Sequence, residues 1–122
     1  MIVELRRNVR HKHLAPKHRY VVIGIEADDL RILNDEGRPY LYPRRLFRVI
    51  DRARPADWIV ERGEDGETYA YPPALGAPGF FEDFFDGKKK AVATFWHAMN
   101  GLLGTAVSTP NLASGARQHQ RP

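Results

Sequence analysis

The chain of 122 residues contains no cysteine, which excludes disulfides, cysteine-based zinc sites and thiol nucleophiles. It has no apolar run near the ~18 residues a membrane helix needs. The opening MIVELRRNVRHKH also lacks the apolar stretch of a secretory leader, so a cytoplasmic location without membrane association is expected. The only serines, Ser108 and Ser114, fall near the C-terminus, in a stretch with few apolar anchors. With no glycine-rich phosphate loop and no H-E-x-x-H pattern, the usual enzyme signatures are missing, and the expectation is a non-catalytic protein without cofactor or metal. No internal repeat is visible.

What is present belongs to a globular chain: 43% hydrophobic and 28% charged residues, enough for one domain with one core. The formal charge of +4 is unevenly spread. Residues 1–19 carry six Lys/Arg against Glu4 alone, and residues 88–122 carry five against none, whereas residues 52–87 carry three against eight acids. The basic character thus sits at the two ends, around an acidic middle.

Residues 20–51 hold the densest pattern. Val21, Ile23 and Ile25, then Leu30 and Ile32, then Phe47 and Val49 alternate with polar neighbours, as in strands with one buried face. Gly24 interrupts the first of these, where the sheet bends or something approaches closely. Asn34-Asp35-Glu36-Gly37 is the clearest turn, because Asn and Asp bond nearby backbone and Gly tolerates positive φ. Pro39 and Pro43 bracket Tyr40-Leu41-Tyr42, which predicts an edge strand, since proline donates no ladder bond. Residues 2–6 suit an opening strand, residues 57–61 and 68–71 two later ones, and Gly63-Glu64-Asp65-Gly66 the turn between these.

Phe80, Phe81, Phe84 and Phe85 recur at helical spacing among Glu82, Asp83 and Asp86. Val92, Phe95, Trp96, Met99, Leu102 and Leu103 form one wide apolar stripe over residues 88–103, the strongest helix in the sequence. The expected architecture is a single α+β domain over residues 1–104, with a strongly bent antiparallel sheet (1–71) packed by helices (79–103). A disordered tail, 105–122, follows.

Several groupings carry potential chemistry. His11, His13 and His18 share one loop, but Arg10, Lys12, Lys17 and Arg19 around them would repel a cation, so a solvated basic loop is the preferred reading over a metal site. Asp28 and Asp29 are adjacent and suit a turn better than an acid–base pair. The outward residues of the central stretch, Arg31, Tyr40, Tyr42, Arg44, Arg45 and Arg48, are the candidate partner-binding set, expected to form one patch. Tyr69, Tyr71, Pro72 and Pro73 with Trp58 are a second possible groove, although Trp58 also suits the core. The alternative is nucleic-acid binding through the basic loop, by Arg7, Arg10, Lys12, Lys17 and Arg19. Arg6, Arg44, Arg45 and Arg48 would join them on one side, with Tyr20, Tyr40 and Tyr42 as stacking platforms.

The order of short strand, long loop and tightly turned strands in residues 20–26, 30–34, the 34–37 turn and 46–51 resembles the small SH3-like barrels. The chain as a whole is similar to small bacterial proteins. The SH3-like resemblance covers about half the chain and implies binding of peptides, proteins or nucleic acids. The acidic loop and ALYDY-like signature of signalling SH3 domains are missing, and the long loop is basic. The expectation is therefore an interaction module with a protein partner, of undefined oligomeric state.

Overall fold

A computed structural model describes residues 1–107 of the protein, with side chains described up to Leu102. The chain divides after Gly76 into two compact units. The first holds seven strands: β1 (Ile2–Leu5), β2 (Arg19–Glu26), β3 (Asp29–Leu33), β4 (Pro39–Pro43), β5 (Phe47–Asp51), β6 (Ile59–Arg62) and β7 (Thr68–Tyr71). The second holds α1 (Phe80–Phe85) and α2 (Lys89–Val107). The α+β class and the antiparallel sheet expected from the sequence are thus present.

The strands run in the order β4-β3-β2-β1-β5, with β7 added to β2 and β6 to β7. Every pairing is antiparallel. β4 and β5 end the five-strand path without pairing to each other, so the sheet curls but does not close into a barrel. A 3-10 turn, Arg44–Leu46, connects those two ends.

β2 is the hub, pairing with β1 through its first half, with β3 through its second, and with β7 at Ile25 and Glu26. Its register slips between Val22 and Gly24, where one extra residue, Ile23, interrupts the ladder. Such a bulge inverts the alternation of side chains along a strand. The core cluster takes Tyr20 and Val22 before the bulge and Ile25 after it; Ile23, expected inward, is fully buried as well, and of the expected Val21, Ile23 and Ile25 only Val21 is half-buried. Val3, Leu5, Leu14, Leu30, Ile32, Tyr42, Phe47, Trp58 and Ala70 complete the cluster. Trp58 is therefore core, as one of the two readings had it.

Gly24 has a specific reason. A Cβ there would sit 2.0 Å from Tyr71 Cε1, so only glycine lets the Tyr71 ring lie against β2. The turn after β3 is organised by Asn34, whose Oδ1 accepts from the backbone N–H of Glu36 (2.9 Å) and Arg38 (3.0 Å). Gly37, at φ +72°, closes it by donating its N–H to the Asn34 carbonyl at 2.8 Å.

The basic loop between β1 and β2 has a defined path. Leu14 is buried in the core, His13 O accepts from Asp35 N (2.9 Å), and Ala15 N–H donates to the Tyr20 hydroxyl (2.8 Å). His13 Nε2 also lies 3.2 Å from Glu36 Oε1, tying the loop to the β3–β4 turn.

In the second unit the predicted helices form. Phe95 is fully buried, with the Phe84 ring 4.6 Å and the Phe81 ring 6.1 Å from it, centroid to centroid. Met99 and Ala91 continue its buried stripe, whereas Trp96, assigned to that stripe from the sequence, is exposed. α2 runs on to Val107, so the first residues of the expected tail are helical. Residues 108–122 lie outside the described residues.

Candidate functional site

The outer edge of the first unit carries two adjoining open clefts. One, of about 650 Å³, is lined by Arg6, Asp28, Asp29, Pro43, Arg44, Arg45, Phe47, Arg48, Val49 and Arg52. The other, of about 510 Å³, shares Asp28, Arg44 and Arg52 with it and adds Arg54, Glu67 and Thr68 among others. The first cleft thus gathers five arginines against two aspartates.

Local folding explains this gathering. Arg44 and Arg45 open the 3-10 turn after Pro43, which turns Leu46 toward the core and leaves both arginines exposed. That turn is fixed at both flanks: Arg44 N–H donates to the Asp28 carbonyl (2.8 Å) in the β2–β3 turn, and Arg6 N–H donates to the Leu46 carbonyl (3.0 Å). Arg6 Nε donates to the Arg45 carbonyl at 3.0 Å, drawing its guanidinium toward the turn. Arg48 lies on the solvent face of β5 and Arg52 just beyond its end.

The cations differ in how they are satisfied. Arg48 Nη2 meets Glu4 Oε1 at 2.9 Å, and Arg19 Nε lies 3.9 Å from Glu4 Oε2. Glu4 pairs across the sheet with both Arg19 and Arg48, so the three make one row on its outer face. Among the described residues, the side chains of Arg44, Arg45 and Arg52 make no hydrogen bond or ion pair. Exposed, unpaired guanidiniums in a concave surface favour an anionic occupant, because each offers a planar fork matched to carboxylate or phosphate oxygens.

The six candidate partner-binding residues do not form one patch. Arg44, Arg45 and Arg48 come together in the cleft. Arg31 and Tyr42 are corrected to the interior, with 7% and 5% of their surface exposed. Arg31 does alternate away from Leu30 and Ile32, but its face is covered too. Its Nε donates to Tyr71 Oη (2.7 Å), Nη1 to the Pro39 carbonyl (2.7 Å) and Nη2 to Glu26 Oε2 (3.0 Å), and Tyr71 Oη also donates to Glu26. Tyr42 pairs with Leu30 across β3–β4 and so shares the core face. The His11 and Phe47 rings meet it edge-on, and Asn34 Nδ2 donates to its hydroxyl. Tyr40 is exposed on β4, with the Arg38 guanidinium 5.9 Å from its ring centre.

Of the loop set, Arg7, Arg10, Lys12, Lys17 and Arg19 are all exposed. Arg10 and Lys12 line a separate shallow cleft of about 400 Å³ with Val9, His11, Leu14 and Pro16. Only Arg19, through Glu4, reaches toward the arginine cleft. Tyr20 is buried and cannot stack on a base. Tyr71 and Trp58, offered as a groove with Tyr69, are buried as well.

Tyr20 and Tyr71 hold their protons tightly. Burial pushes Tyr20 up to about 12, reinforced by its bond to Asp35 Oδ1 (2.7 Å) and opposed by the Ala15 N–H. Burial likewise raises Tyr71, against the pull of Arg31. Raised values make them structural donors rather than activated nucleophiles. Among the described residues, no three His, Asp or Glu side chains gather as a metal site. No helix among them is long and apolar enough to cross a membrane.

What the residue pattern missed is Arg52, which belongs to neither candidate set. Its place in the cleft depends on where β5 ends beside β1. Comparison with protein families, curated proteins and solved structures found no match for the chain.

Proposed function

We propose that the protein is a non-catalytic interaction module of the cytoplasm that binds an acidic segment of a protein partner in its arginine-lined cleft. The observation that carries this reading is the convergence of Arg6, Arg44, Arg45, Arg48 and Arg52, three of them without an intramolecular partner, around one concave surface. Asp28 and Asp29 within the same cleft speak for a discrete pattern of charges on the ligand rather than a uniform polyphosphate backbone. No exposed aromatic lines the cleft to stack a base. The strand path, with a 3-10 turn joining β4 to β5, supports an SH3-like partial barrel as the scaffold. The occupied surface in this reading is the arginine cleft, and the tyrosines of the original set contribute to the core or, for Tyr40, lie outside the cleft.

A second reading, nucleic-acid binding through Arg7, Arg10, Lys12, Lys17 and Arg19, is favoured by the Arg19–Glu4–Arg48 row, which extends the basic surface from the loop toward the cleft. Fluorescence anisotropy separates the two, using a glutamate-rich peptide and single- and double-stranded oligonucleotides of matched charge. The first reading expects the peptide to bind and the R44E/R45E variant to weaken it about tenfold or more, with R10E/K12E close to wild type. Preference for oligonucleotide, a steep salt slope and sensitivity to R10E/K12E would replace it with the second.

A further inference from the structure

Resting on the acidic-segment reading, the geometry points to a narrower ligand: we infer that the ridge between the two clefts, formed by Arg44 and Arg52, holds a phosphate monoester on the partner segment. Three observations lead there. Arg44 and Arg52 are the only arginines that line both clefts. Neither side chain makes a hydrogen bond or ion pair among the described residues, whereas Arg6 and Arg48 are each held by one. The clefts extend to either side, with Arg45, Arg48 and Asp29 lining one and Arg54 and Glu67 the other, so an extended segment crossing the ridge meets cations on both sides, each side with one acidic residue that opposes a uniformly anionic segment.

The chemistry distinguishes a phosphate monoester from a carboxylate. An exposed carboxylate–guanidinium pair contributes little, about 0–1 kcal/mol, because water solvates both partners well. A phosphomonoester carries a charge of about −1.5 to −2 and three acceptor oxygens, so it can engage two forks at once. Two unpaired arginines on a shared ridge present donors for that and exceed the demand of one carboxylate. Asp28, on the same ridge, repels any anion. A ligand able to bind both arginines offsets that repulsion better than one held by a single fork.

The test uses the full chain and a fluorescent peptide with one phosphoserine between acidic residues, beside the same peptide carrying serine or glutamate there. The phosphopeptide is expected to bind about tenfold tighter than the glutamate peptide, and R44K or R52K, which keep the charge but lose the fork, should remove most of that preference. R7A serves as a control on the loop and should leave it unchanged. All three arginines are exposed, and thermal melting verifies that each variant stays folded. Equal binding of the phosphoserine and glutamate peptides, or a preference that survives both lysine variants, overturns the inference while leaving the acidic-segment reading intact. Displacement by inorganic phosphate at a concentration equal to the peptide also overturns it, assigning the ridge to the free anion. Absence of binding by any peptide removes both.

Discussion

At the residue scale, the first unit depends on Gly24 because the Tyr71 ring occupies the space a side chain would need. Replacing it with alanine displaces that ring and with it the hydroxyl that joins Arg31 to Glu26. A buried guanidinium stripped of a partner is costly, so G24A is expected to destabilise the protein by about 2–4 kcal/mol in urea unfolding. A loss under half a kcal/mol would mean that the ring has room elsewhere. Tyr20 supplies a second test, through pH. Its pKa rises on folding from the model-compound value of 10.0 to about 12, so the folded state keeps a proton that the unfolded chain releases first. The stability tied to it is complete below pH 10 and declines as pH rises through about 12. Y20F lacks that ionisation and should show a shallower alkaline fall in urea midpoint than wild type, though it starts lower for want of the bonds to Ala15 and Asp35. An identical alkaline slope in both would remove Tyr20 from the account.

At the scale of elements, the same residues explain what was and was not legible in the sequence. The 34–37 turn, the strands around it and both helices follow from local chemistry: an Asn that bonds its own turn, a Gly at positive φ, apolar residues at periods two and near four. The bulge at Ile23 has no local signature beyond the neighbouring Gly24, and one inserted residue shifted the inward set from Val21 to Tyr20 and Val22. Arg31 alternates away from Leu30 and Ile32 as the strand period expects, but it is buried and not outward. Its burial follows from Tyr71, forty residues later, which no periodicity announces. The basic loop is the counterpart: its composition suggests solvent, yet Leu14 is buried in the core and Val9 packs against it. L14A should therefore cost about 2–4 kcal/mol and raise amide exchange from residues 9 to 17, with the β3–β4 turn loosening where His13 O holds Asp35 N. Exchange confined to residue 14 itself would show the loop to be held by its other contacts without Leu14.

At the scale of the whole molecule, charge counted along the chain conceals the site, because the cleft takes its arginines from three segments of different net charge. Arg6 comes from the basic start, Arg44, Arg45 and Arg48 from the nearly neutral centre, and Arg52 from the acidic stretch. Their meeting is a product of β1–β5 pairing across more than forty residues, which is topology and not composition. Like charges held together oppose folding, and salt screens them over a Debye length of about 10 Å at 0.1 M. Sites kept for binding commonly carry such a stability cost. The combined R44Q/R45Q/R52Q variant removes three cations without disturbing a described hydrogen bond of their side chains, so it should be more stable than wild type at low ionic strength. The gain should be on the order of 1 kcal/mol and shrink as salt is raised from about 0.02 to 0.3 M, where wild type gains and the variant does not. The same variant should lose its affinity for the acidic peptide, which ties the repulsion to the binding surface. If urea midpoints of wild type and variant move in parallel with salt, the arginines are not close enough to repel one another and the cleft loses its electrostatic basis.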